Sequence, residues 1–208
     1  MLAGIGIRAS REQMDQFRAH FELLLRWNSR MNLTAIREPR EILRRHFVES
    51  AFLTRVLRLG KGTLVDVGSG AGFPGIPVKV LSPETRVVLV EATQKKAAFL
   101  KEVARELGVG GWRLGDGLEV MAARVEETDL RADWLTMRAV KLTPQLLKAL
   151  ARVLVPRGTL ALFVGKGEVM EVLENKQFIG INWCIERIPN SESRVILIGE
   201  GSTWNTVV

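Results

Sequence analysis

The sequence predicts a doubly wound α/β protein: a mostly parallel seven-stranded sheet, helices on both faces and an antiparallel hairpin at the C-terminal end. Three observations carry this expectation. From residue 63 onward, short β-branched runs alternate with stretches of helical periodicity. A glycine-rich loop, "DVGSGAGFPGIP" from Asp66, comes directly after the first of those runs. The last two runs, "NWCIERI" (182–188) and "SRVILI" (193–198), are separated by little more than a turn, "PNSE".

Ahead of the alternation lies a different region. Phe17, Phe21, Leu24 and Leu25 recur at helical spacing within 10–30, and Leu43, Phe47, Phe52 and Val56 do so within 40–58, where Pro39 marks the helix start. Strands are then expected at 63–67, 86–91, 133–138 and 159–164, with weaker ones near 112–114 and 118–122. Helices are expected after Gly75, over 94–107 and over 143–153. The expected organisation is a basic helical section (1–60), a core (61–200) and a tail (201–208).

Composition narrows the function classes. The chain has 208 residues, 47% hydrophobic and 25% charged, enough for one domain with a sizeable core. No apolar run reaches the roughly 18 residues of a membrane span. The single cysteine, Cys184, excludes an internal disulfide and a cysteine-based zinc site; it is expected to be a small buried hydrophobe. A reducing, cytoplasmic setting, a monomer, no membrane and no metal are the resulting expectations. Residues 1–60 hold eleven arginines, no lysine and six acids, which is +5 of the total +7. Such a region suits a polyanion such as RNA, and equally a solvated basic face.

The glycine loop reads D-x-G-x-G-x-G over Asp66, Gly68, Gly70 and Gly72. It leaves the C-terminal end of a strand, where doubly wound folds bind ligands. A dinucleotide fingerprint wants G-x-G-x-x-G with a pyrophosphate at the helix N-terminus. Here Phe73 occupies its last position, and Asp66 adds a carboxylate that repels a diphosphate but suits a cation, such as the sulfonium and ammonium of S-adenosylmethionine. Glu91, at the end of the next strand, can accept from ribose hydroxyls in either cofactor class. Pro74 and Pro77 stiffen the C-terminal side of the loop.

The acceptor is constrained by what is missing. No (Asn/Asp)-Pro-Pro-aromatic segment of the kind used on exocyclic amines is present, and Cys184 is far from the loops where a pyrimidine C5 nucleophile would stand. At the end of the fourth strand stands Arg138, which cannot act as a base at neutral pH but grips phosphate, carboxylate or guanine O6. That points to an acceptor needing no deprotonation. Guanine N7 is one, and its methylation rests on alignment. A surface salt bridge is the other reading of Arg138.

Together these motifs resemble the bacterial small-subunit ribosomal RNA guanine-N7 methyltransferases, the RsmG or GidB family. The resemblance runs from about residue 25 to 198 through "WNSRMNLTAI" (27–36), "RHFVES" (45–50), "DVGSGAGFPGIP" (66–77), "KKAAFL" (95–100), "RVEE" (124–127), "MRAV" (137–140) and "GKG" (165–167). It implies a Rossmann-like class I S-adenosylmethionine-dependent methyltransferase acting on N7 of guanine 527 in the 530 loop of 16S rRNA, or of a small-subunit precursor. It implies S-adenosylmethionine contacts at Asp66, Gly68, Ser69, Gly70, Gly72, Phe73, Glu91, Val125, Glu126 and Arg138, the last also catalytic. It further implies RNA contacts at Arg45, Lys95, Lys96, Arg124 and Lys166. Asp116 in "LGDG" is a second candidate for the adenine-side acid, and His46 is expected to be structural or to support the site from behind rather than to line the pocket with Glu49 and Ser50. The chain departs from the family pattern at Glu49, where an aspartate is usual, and in its tail "IGEGSTWNTVV" (198–208), where relatives often carry a lysine. Trp112 and Trp134 are expected to be packing residues. The alternatives are a non-catalytic RNA-binding protein of this fold, and a methyltransferase for another RNA, a protein or a small molecule.

Overall fold

A computed structural model describes residues 1–108, 117–178 and 180–201. The expected strand near 112–114, Trp112, Asp116 and most of the tail lie outside the described residues. Seven strands form one sheet in the order β3-β2-β1-β4-β5-β7-β6. They are β1 (Gly62–Val67), β2 (Thr85–Val90), β3 (Leu118–Met121), β4 (Ala132–Arg138), β5 (Leu154–Gly165), β6 (Asn182–Arg187) and β7 (Arg194–Glu200). The first five run parallel, and β7 pairs antiparallel with both β5 and β6. Chain order reverses between β1 and β4, which opens a crevice at the C-terminal ends of those two strands.

The strands carry apolar side chains on both faces, as a sheet covered twice requires. Leu64 and Leu89 belong to the cluster that includes Phe17, Leu24, Phe47 and Phe99; Val65, Val67, Val88 and Val90 belong to the one with Leu135, Leu147 and Leu150. Asp66 alternates with Val65 and Val67, so it faces the first cluster and the helical layer over it.

That layer includes the N-terminal section. Helix α1 (Arg11–Asn28) starts at Ser10, whose hydroxyl accepts from Gln13 N–H while the Gln13 side chain accepts from Ser10 N–H. The second expected helix begins at Pro39 and reaches Val56, but is not uniform. Helix α2 (Pro39–Ile42) and helix α3 (Glu49–Val56) are joined by a π turn over Leu43–Val48. Such wider turns are frequent at functional sites, and this one contains Arg45, His46 and Phe47.

The remaining helices are α4 (Gly75–Leu81), α5 (Gln94–Leu107), α6 (Pro144–Val153) and α7 (Val169–Leu173). Helix α6 starts where Thr143 Oγ1 accepts from Leu146 N–H ahead of Pro144. Strand β5 extends back to Leu154 from the expected 159–164, because Leu154 already pairs with Ala132 across an irregularity in the ladder. One further placement differs from expectation. Cys184 is exposed, because among the described residues β6 is the outer strand of the sheet, and its Sγ lies 3.4 Å from a Glu186 carboxylate oxygen. Lys79 is buried in α4, with its ammonium donating to the carbonyls of Pro83 and Thr85 at 2.7 and 3.1 Å.

Candidate active site

The glycine loop closes over the end of β1. Gly68 and Ser69 donate their N–H groups to the Val90 carbonyl at 2.8 and 3.2 Å, tying the loop to the end of β2. Gly68, Gly70 and Gly72 have φ of 69°, 56° and 86°, a conformation that side chains rarely adopt. A Cβ on Gly68 would also lie 2.6 Å from Val140 Cγ2, in the turn after β4. Gly70 is different, because a Cβ there would meet only the Gly68 carbonyl oxygen, at 3.8 Å. The loop thus presents open backbone on one side and a close-packed neighbour on the other.

Two carboxylates brace it. Asp66 is fully buried, with Oδ2 accepting from Gly75 N–H at 3.0 Å. It supplies the cap that α4 lacks at Pro74, and joins strand, loop and helix. Its other oxygen, Oδ1, has no hydrogen-bond partner. Burial pushes its pKa up to about 7, against the opposing Gly75 N–H. Glu91 accepts from Gly70 N–H at 3.0 Å through Oε2 and from Thr93 N–H at 2.8 Å through Oε1. Both acids singled out in the sequence therefore hold the loop's backbone, and a carboxylate retains lone pairs for a further donor.

Phe73 is placed less simply. Its ring stacks on His46 (centroids 4.9 Å, 17° between planes) and on His20 (4.8 Å, 23°), with Phe47 edge-on at 4.9 Å. The ring is taken up by the N-terminal layer, which leaves the residue's backbone for the loop. His46 packs on this ring, and its Nε2 lies 2.7 Å from Thr34 Oγ1. Sequence reasoning missed His20, whose Nε2–H donates to the Ala71 carbonyl at 2.9 Å; periodicity alone shows a histidine on an apolar face, not what it grips.

Burial lowers the pKa of His20 to about 4 and that of His46 to about 3. A buried neutral histidine stabilises the fold fully above its unfolded pKa of about 6.5, and less as pH falls toward the folded value. For fully buried His20 the loss between about pH 6.5 and 4 is expected to be about 3 kcal/mol. Denaturant unfolding of wild type and His20→Gln across that range checks this: the stability difference between the two should vary with pH below 6.5 and be flat above 7.

Arg138 ends β4, beside the loop. Its guanidinium lies 5.6 Å from the centre of the Phe163 ring. Nη2 donates to the Arg45 carbonyl at 2.7 Å and to Glu49 Oε2 at 3.2 Å, whereas Nη1 is buried without a partner. Burial pulls its pKa down to about 10, so it stays a cation at neutral pH. It is no surface salt bridge, since its side chain is 7% exposed. The chain then turns sharply through Ala139, a non-glycine residue at φ 54°, which brings Val140 against Gly68.

The other candidate residues fall on the same edge of the sheet. Val125 and Glu126 form a short turn beyond β3; Val125 is buried, and the Glu126 carbonyl accepts from Arg152. Lys95 and Lys96 open α5 after β2, Arg124 comes after β3, and Lys166 after β5. Of these, Lys95, Arg124 and Lys166 are exposed, and Lys96 is half-buried. Arg45, in the π turn, lies 3.6 Å from Glu41 and contacts Arg138 through its carbonyl. No cluster of metal-ligating side chains occurs among the described residues.

A sequence model of the GidB family, described as "rRNA small subunit methyltransferase G", matches residues 13–190. The chain belongs to this family. A family protein of Syntrophobacter fumaroxidans is 41% identical over 178 residues, covering 85% of this chain and 80% of the relative. One from Dehalococcoides mccartyi is 42% identical over 127 residues, 61% of this chain, and the match spans only 52% of that relative's length. Among solved structures, an S-adenosylmethionine-dependent methyltransferase from Aquifex aeolicus superposes with a TM-score of 0.60 at 19% identity, over 77% of this chain and 92% of that one. TYW2 of M. jannaschii, in complex with AdoMet, gives 0.58 at 18% identity, over 74% of each chain. At that identity the likeness is one of fold, and the fold is that of class I S-adenosylmethionine-dependent methyltransferases.

Proposed function

We propose that this chain transfers the methyl group of S-adenosylmethionine to N7 of one guanine in small-subunit ribosomal RNA, guanine 527 of the 530 loop. The observation that carries the reading is the juxtaposition of an open glycine cradle and a buried arginine with an unpartnered Nη1 at one crevice. The residues fit the cofactor: the open space at Gly70, the orphaned Oδ1 of buried Asp66 and the carboxylate of Glu91 together suit a ligand with a cationic end and ribose hydroxyls. Gly68, Ser69, Gly70, Gly72 and the Phe73 backbone would hold it from the loop, and Val125 and Glu126 would flank the adenine. When bound, it supplies an electrophilic methyl group on sulfur.

The chain's own contribution is orientation. Guanine N7 carries an in-plane lone pair and no proton, so the site needs no general base. That agrees with His20 and His46 both being committed to packing. Arg138 offers a cationic donor to the acceptor base while the loop stays fixed, so the two reactants meet in one geometry. Arg45, Lys95, Lys96, Arg124 and Lys166 would take the RNA phosphates along that edge of the sheet.

The test is transfer from labelled S-adenosylmethionine to deproteinised and intact small subunits, with subsequent mapping of the modified base. Label at N7 of a single guanine in 16S rRNA is the expected result. Label on protein or another RNA would overturn the assignment. Salt-dependent RNA binding with no transfer would leave the non-catalytic reading instead.

A further inference from the structure

Glu49, from α3, is where three elements meet. Its carboxylate is 2% exposed and faces two guanidiniums, those of Arg138 and Arg194. Arg194 is the first residue of β7; it pairs in register with Gly165 and so lies at the sheet edge that carries Arg138. Arg194 Nη2 contacts both carboxylate oxygens, Oε2 at 3.1 Å and Oε1 at 3.2 Å, whereas Arg138 reaches Oε2 alone. Arginine and carboxylate prefer to meet as a fork, two parallel bonds from one guanidinium to both oxygens. Arg194 takes Oε1, Arg138 makes no such fork with Glu49, and its Nη1 has no partner.

We propose that Arg194 is a positioning residue for the methyl transfer: by occupying Glu49 it keeps one donor of Arg138 available to the acceptor base. The role rests on the proposed function above. Arg194 also joins the C-terminal hairpin to the site, because it ties the start of β7 to the carboxylate that steadies Arg138. Without it Glu49 is free to close on Arg138 with both oxygens and quench the donor.

The experiment compares wild type with Arg194→Gln, Arg194→Lys, Glu49→Gln and the Glu49→Gln/Arg194→Gln double variant. Arg194→Gln is expected to lower kcat at least roughly tenfold, with KM for RNA and Kd for S-adenosylmethionine within about threefold. Arg194→Lys, which keeps a cation on Glu49, should stay within about threefold of wild type in kcat. In the Glu49→Gln background, adding Arg194→Gln should change kcat less than about twofold, because the coupling runs through the carboxylate. Independent effects that multiply, a lysine variant as impaired as the glutamine one, or a loss confined to KM with a shallower salt dependence each overturn the proposal; the last would make Arg194 a phosphate contact. Arginine side-chain NMR supplies an arm that needs no activity: the Arg138 guanidinium signals should shift in Arg194→Gln, and unchanged signals overturn the proposal. Wild-type protein that transfers no methyl to small-subunit RNA defeats the proposed function instead, and the spectra still report whether Arg194 sets the environment of the Arg138 guanidinium.

Discussion

Arg138→Ala is expected to lower kcat for methyl transfer roughly 100- to 1,000-fold, the scale of losing a preorganised donor or the alignment it imposes. The protein should remain folded, because Glu49 keeps its contacts with Arg194 and is not left as an uncompensated buried charge. S-adenosylmethionine affinity should fall only severalfold, since the loop's bonds to Val90, Glu91 and Asp66 do not pass through the arginine. Single-turnover kinetics with calorimetry of cofactor binding separates the two effects. Activity retained within a few-fold would remove Arg138 from the chemistry. Lysine at this position should rescue poorly, because a compact ammonium has one nitrogen and cannot serve the Arg45 carbonyl and Glu49 while holding a second, separate donor nitrogen as the planar guanidinium does.

The second large effect is expected at Gly68. An alanine there incurs the left-handed backbone penalty of about 1–2 kcal/mol, and its Cβ would sit 2.6 Å from Val140 Cγ2. Val140 must then move, and with it the turn through Ala139 just beyond Arg138. Kd for S-adenosylmethionine should rise at least roughly tenfold and kcat should fall as well, because a small displacement at the reacting centre has a large effect on rate. Gly70→Ala is the informative contrast. It shares the backbone strain but meets nothing except the Gly68 carbonyl, at 3.8 Å. It should weaken cofactor binding while sparing Val140 and the Arg138 turn. Cofactor affinity equal to wild type in Gly70→Ala would mean that the ligand does not approach that backbone.

The sheet and its helices were legible because the strands are short runs with marked ends, and β1, β2, β4, β6 and β7 fall within about two residues of expectation. The crevice was legible for the same reason: the glycines after β1 and Arg138 at the end of β4 are local signals. Contacts between distant residues were not. Nothing near Glu49 in sequence indicates Arg194, 145 residues later, and nothing near Phe73 indicates that two histidines enclose it. The exposure of Cys184 depends on which strand is outermost, a property of topology that an apolar run does not encode. The burial of Lys79 likewise depends on two carbonyls beyond the end of its helix that meet its ammonium.

The enclosure of Phe73 reaches into how the molecule is made and how it can be cut. Its flanking rings, at positions 20, 46 and 47, are synthesised before the loop they grip. During translation the leading helices wait for a partner that has not yet left the ribosome. A recombinant fragment starting at β1 would retain every glycine of the motif yet expose a bare phenyl group, and a loop without walls would wander instead of standing ready for its cofactor.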